Sequence, residues 1–111
     1  MPDHRSLVLI DDCHTEGMLV EGAIDATEEF GTFRHVIDSR TALEVIASDK
    51  PHAVLLDLRM PGLSGWEVLA PLRETGVLNS TFVAILSNSD SMGDRKEAME
   101  QGAKAYFVKP M

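Results

Sequence analysis

The chain has 111 residues, 44% of them hydrophobic and 25% charged, which is ordinary composition for one globular domain. Lys plus Arg is 10 against 18 Asp plus Glu, a net charge of −8 that disfavours nucleic acid and anionic membrane surfaces as partners of this domain. One cysteine, Cys13, excludes an internal disulfide and a zinc site built on paired cysteines, and points to a reducing, cytoplasmic setting.

In chain order, Met1 to Arg5 is polar and contains no signal-peptide core. A continuous apolar run follows, Leu7 to Ile10, and similar runs recur at Ala53–Leu56, Phe82–Leu86 and Ala105–Val108. They do not alternate apolar with polar, which is the pattern of strands buried on both faces. A weaker strand is expected over Phe33–Ile37. Helices are expected over Thr15–Phe30, with Val20, Ala23, Ile24 and Thr27 inward, and over Thr41–Ser48. A third is expected over Trp66–Glu74, where Pro71 would delay its start or kink it. The fourth, Ser91–Gln101, opens with a capping pair, Ser91 and Asp94, and stops at Gly102. Gly17 and Gly22 each weaken the first helix by about 1 kcal/mol relative to alanine. The alternation β-α-β-α-β-α-β-α-β implies right-handed crossovers and a parallel sheet.

Each long run ends in a polar residue: Asp11 and Asp12, then Asp57, Ser87 and Lys109. In an open parallel sheet all the carboxyl ends share one edge, where ligands bind. The topology therefore gathers three carboxylates, a hydroxyl and an ammonium whose sequence separations alone say nothing. Taken singly, each is more often a cap, turn or surface charge. Three clustered carboxylates repel unless neutralised, and Lys109 plus a divalent cation would balance them. Oxygen-only ligands favour a hard ion, Mg²⁺ rather than Zn²⁺. Metal, ammonium and hydroxyl together suit a phosphoryl group, with Asp57 as the candidate nucleophile.

These segments resemble the receiver domain of two-component response regulators. The matching pieces are Leu7 to Asp12, Ala53 to Gly65, Val83 to Ser87 and Gly102 to Pro110. The resemblance implies a flavodoxin-like, doubly wound α/β fold with a five-stranded parallel sheet in the order 2-1-3-4-5. It implies that Asp57 accepts a phosphoryl group from a phosphohistidine on a sensor histidine kinase or histidine phosphotransfer domain. Such a protein is a phosphoacceptor that promotes its own phosphorylation and dephosphorylation. By the family pattern Asp12 and Asp57 ligate Mg²⁺ directly, Asp11 does so through water, and the Arg59 carbonyl is a further ligand. Lys109 and Ser87 contact the phosphoryl group, and Pro110 follows a cis bond. The family also implies a switch in which Ser87 moves, Tyr106 changes rotamer, and the face of the fourth helix and fifth strand passes the signal to a downstream protein. A plainly packed edge aromatic is the alternative reading of Tyr106.

Several residues depart from the pattern. Asn88 stands where a smaller residue is usual and should alter phosphorylation and dephosphorylation rates. Arg59 and Ser89 occupy variable, site-facing positions, and Arg59 would pair with a site carboxylate in the absence of metal. The usual fifth helix is missing after the fifth strand of the domain, residues 1–111, so one sheet face is expected to be half uncovered; a longer chain or an absent tail is the favoured reading, and a partner covering the face is the alternative. Cys13, Trp66 and the four histidines receive structural readings: turn, helix packing and scattered side chains without ligand spacing. Two competing functions remain, an unphosphorylated docking module and an aspartate-nucleophile phosphatase. The phosphatase would place a second acid where Arg59 stands. A nucleotide-binding protein would need a glycine-rich loop after the first strand, and none is present.

Overall fold

The computed structural model describes residues 5–27, 30–88 and 91–109. Five strands, β1 (Ser6–Ile10), β2 (Thr32–Val36), β3 (Ala53–Leu56), β4 (Phe82–Ser87) and β5 (Ala105–Val108), form one parallel sheet in the order β2-β1-β3-β4-β5. The three inner strands are the continuous apolar runs, because both of their faces are covered. Val8, Ile10, Val54, Leu56, Val83 and Ile85 face one way, into the larger core. Leu7, Leu9, Ala53, Leu55, Ala84 and Leu86 face the other way, into a smaller one. Each fully buried Leu, Ile or Val contributes about 1.5–3 kcal/mol, so these strands anchor the domain. β2 begins and ends one residue earlier than the sequence suggests. It is an edge strand of alternating exposure, and Ile37 lies past its end, exposed.

α1 (His14–Thr27) lies on the face of the smaller core and buries Val20 and Ile24. Ala23, expected inward, is exposed. Residues 28 and 29 and the Thr27 side chain lie outside the described residues, and Phe30 is no longer helical but packs on the smaller core. Phe82 and Phe107 are 49% and 43% exposed. By strand alternation they lie on this same face.

α2 (Ala42–Asp49), α3 (Gly65–Glu74) and α4 (Met92–Glu100) cover the larger core. A single 3-10 turn, Ser39–Thr41, precedes α2. α3 starts one residue earlier than expected and runs through Pro71 instead of starting late. Its start is fixed by a capping box. The Glu67 amide donates to Ser64 Oγ at 3.3 Å, and the Ser64 amide donates to Glu67 Oε1 at 3.0 Å. Ser64→Ala is expected to lower unfolding free energy by about 1 kcal/mol, read as a lower urea midpoint at unchanged slope. α4 is the most thinly anchored helix. Ala98 is its buried residue, and Ser91 caps it by accepting the Asp94 amide at 3.3 Å. Past its end Gly102 has φ +108°, as the sequence suggested.

Candidate phosphoacceptor site

The sheet register brings the polar strand ends together. Asp11 follows β1, and Asp57 follows β3, its amide donating to the Ile10 carbonyl at 2.9 Å. Lys109 follows β5, its amide donating to the Ser87 carbonyl at 2.8 Å. Carboxylate oxygens of Asp11, Asp12 and Asp57 all lie within 4.8 Å of one another. Asp11 and Asp57 are buried, whereas Asp12 is exposed at the mouth. The Lys109 ammonium, also buried, reaches between them, 2.8 Å from Asp11 Oδ2 and 3.1 Å from Asp57 Oδ2. The Cys13 amide donates to Asp11 Oδ1 at 3.0 Å, and the Arg59 amide donates to Asp57 Oδ1 at 3.3 Å. Ser87 is buried at the end of β4.

Burial pushes the Asp57 carboxyl above its ordinary range. The Lys109 hydrogen bond and charge pull it back part of the way, and the neighbouring Asp11 adds to the rise. Burial alone would lower Lys109, but its hydrogen bonds to Asp11 and Asp57 outweigh that, and its value is raised. A carboxyl whose value is higher folded than unfolded contributes stability at acid pH, and that contribution is lost as pH rises through the folded value. Ionised Asp57 is therefore a burden on the metal-free fold at neutral pH. Asp57→Asn is expected to raise the melting temperature in EDTA by about 4 °C, and added Mg²⁺ should stabilise the wild type but not the variant.

The three carboxylates and Lys109 converge as the topology required. Arg59 does not pair with a site carboxylate. Its guanidinium reaches across to Asp94 at the start of α4, at 3.5 Å, while its main chain faces Asp57. The reason is local: Lys109 already sits between Asp11 and Asp57, and the exposed Arg59 side chain reaches out to Asp94 instead. Tyr106 is half-buried against the larger core, with the Arg95 guanidinium 5.0 Å from its ring centroid. Asn88 is exposed beside Ser87, while Ser89 and Pro110 lie outside the described residues. Cys13 and His14 are exposed. Trp66 packs on the larger core.

Three supporting residues escape a reading by motif. Ser39 is buried; its hydroxyl donates to the Pro61 carbonyl and accepts the Leu63 amide, each at 2.9 Å, which ties the loop after Asp57 to the β2–α2 connection. At Gly65 an added Cβ would lie 2.4 Å from the Asp57 carbonyl oxygen and 2.7 Å from Leu58 Cα. His35, on β2, hydrogen-bonds the Asp11 carbonyl. A buried serine and a glycine in a Pro-Gly-Leu-Ser-Gly stretch are weak sequence signals, and the histidine gave none.

The oxygen-only donor set fits a hard divalent cation. Among the described residues no helix is long and apolar enough to cross a membrane.

A family model described as the response regulator receiver domain matches residues 7–111. Response regulator PleD of Caulobacter vibrioides is 30% identical over 105 residues, 95% of this chain and 23% of that protein. Response regulator MprA of Mycolicibacterium vanbaalenii is 44% identical over 73 residues, 66% of this chain and 31% of that protein. The chain thus spans less than a third of the length of these relatives. Among solved structures, the signal receiver domain of a putative Luxo repressor protein from Vibrio parahaemolyticus superposes with a TM-score of 0.88 at 25% identity, covering 98% of this chain and 81% of that one. The BeF3-activated receiver domain of Klebsiella pneumoniae RstA does so with 0.81 at 27% identity, covering 96% and 87%. A parallel sheet in this order, carrying this acidic edge, together with a family match over nearly the whole chain, makes it a member of the response regulator receiver domains of two-component systems.

Proposed function

We propose that the chain accepts a phosphoryl group on Asp57 in the cytoplasm, from a phosphohistidine of a sensor histidine kinase or histidine phosphotransfer domain, with Mg²⁺ at the acidic cluster. The observation that carries this is the buried Asp57 carboxylate, 3.1 Å from a buried ammonium and clustered with two further carboxylates. A carboxylate oxygen of Asp57 attacks phosphorus, and the N–P bond of the donor breaks. The electron pair leaves with the imidazole, which takes up a proton. Hydrolysis reverses the modification: water attacks phosphorus, the carboxylate is restored and inorganic phosphate leaves. Lys109 meets the charge on the transferred group, and the Ser87 hydroxyl donates to it. Asp12, Asp57 and the Arg59 carbonyl would hold Mg²⁺ directly, and Asp11 through water. When bound, the ion neutralises the cluster and the phosphoryl oxygens.

The new charge draws Ser87, Tyr106 follows, and the α4–β5 face changes for a downstream protein or domain. Asn88 and Ser89, beside Ser87, and Arg59 set the rates of gain and loss. Residues 1–111 act as a receiver domain whose output lies with a downstream protein or domain. Arg59 argues against a phosphatase, because it brings a guanidinium paired to Asp94 where a general acid would be needed.

The test is incubation with Mg²⁺ and acetyl phosphate, followed by intact mass. One phosphoryl adduct is expected, absent in Asp57→Asn and absent in EDTA. If no adduct forms and beryllofluoride with Mg²⁺ does not bind, the domain is an unphosphorylated docking module.

A further inference from the structure

We infer that His35 is a positioning residue for the acidic cluster, a role that rests on the Mg²⁺-binding reading above. Asp11 leaves the end of β1, and its main chain is held from β2 on two sides. Its amide donates to the Val36 carbonyl at 3.1 Å, and its carbonyl lies 2.6 Å from His35 Nε2. A carbonyl oxygen only accepts, so His35 carries its proton on Nε2 in this contact. The ring is not free to turn away. Its Nδ1 lies against α1, 2.2 Å from where a Cβ on Gly17 would stand, and the His14 ring meets it edge-on with centroids 6.3 Å apart. The glycine that weakens α1 is thus the residue that lets the imidazole pass beneath the helix. The Asp11 carboxylate, fully buried and 2.8 Å from Lys109, takes its direction from the main chain that His35 and Val36 clamp. A partner that orients a direct ligand typically changes metal affinity by about 10–100-fold, and Asp11, acting through water, belongs at the lower end of that range.

The experiment is calorimetric titration of the full chain with Mg²⁺ alone, beside thermal melts in EDTA. Glutamine sets an amide nitrogen at the reach of Nε2 and keeps the donor, whereas leucine removes it. Asparagine, polar and short, puts its nitrogen out of reach and carries the test if His35→Leu does not fold. His35→Gln is expected to bind Mg²⁺ within about threefold of wild type, and His35→Leu and His35→Asn about tenfold more weakly. Equal affinity in all four proteins, or His35→Gln as weak as His35→Leu, overturns the inference and leaves the receiver reading intact. No Mg²⁺ binding by the wild type, with or without beryllofluoride, overturns both.

Discussion

Lys109→Met is expected to remove the phosphoacceptor activity and destabilise the metal-free domain together. Asp11 and Asp57 are buried and share this ammonium, whose side chain is itself 6% exposed. Removing one member of such a group leaves buried charge unpaired, at a cost of about 3 kcal/mol. The pH dependence separates this from a packing defect. In the wild type Lys109 is raised, so its contribution is complete at neutral pH and fades only as pH climbs through its folded value. In the variant Asp57 loses the ammonium that holds its rise in check, so it resists ionisation more strongly. Stability then falls as pH rises through and above the carboxylate range. Urea unfolding at pH 5 and pH 8 in EDTA should show the variant losing stability between them, and Mg²⁺ should restore part of the loss at pH 8. Acetyl phosphate labelling should slow by about 100-fold or more, the scale of losing one preorganised charge at a transition state.

Gly65→Ala is expected to cost about 2 kcal/mol, the scale of overpacking where the neighbours are backbone and cannot step aside. Gly65 opens α3, and its amide donates to the Leu58 carbonyl at 2.9 Å. A methyl group there presses on the main chain of Asp57 and Leu58, so the damage reaches the proposed acceptor residue, and adduct formation should slow as well. Gly22→Ala is the matched comparison. Nothing lies within 4 Å of its added Cβ, and it should gain up to about 1 kcal/mol from helix propensity. Melts and labelling rates of the two variants side by side check both statements.

The contrast among glycines shows where the sequence stops informing. Gly17, Gly22 and Gly65 are indistinguishable by type. Gly17 admits a histidine ring, Gly65 admits a loop, and Gly22 admits nothing. The inner strands were legible because burial on two faces demands unbroken apolar runs, and Leu7–Ile10 and Ala53–Leu56 supply them. β2 was one residue off because an edge strand is held by one neighbour and alternates in exposure, so no unbroken apolar run marks its ends. Ala23 misled because alanine suits either face of a helix. The convergence of Asp11, Asp12, Asp57 and Lys109 was legible only through topology, since no local spacing joins them. The partner of Arg59 was not legible, because a long exposed side chain chooses among nearby carboxylates by geometry alone. The His35 contact ends on a main-chain oxygen, which every residue carries and no motif marks.

The ion pair that completes the site also ties its acidic edge to the far end of the described chain. Lys109 meets Asp57 across 52 residues of chain, and meets Asp11 near the opposite end of the domain. Closing a loop of that length costs chain entropy before the contact rewards it. A sheet without β5 in place would hold the carboxylates that follow β1 and β3 in mutual repulsion, without the ammonium that relieves it. On the phosphoacceptor reading proposed above, that partial sheet would lack the cation that meets the phosphoryl charge. An aspartyl phosphate would then mark a molecule whose fifth strand is docked beside the acidic edge.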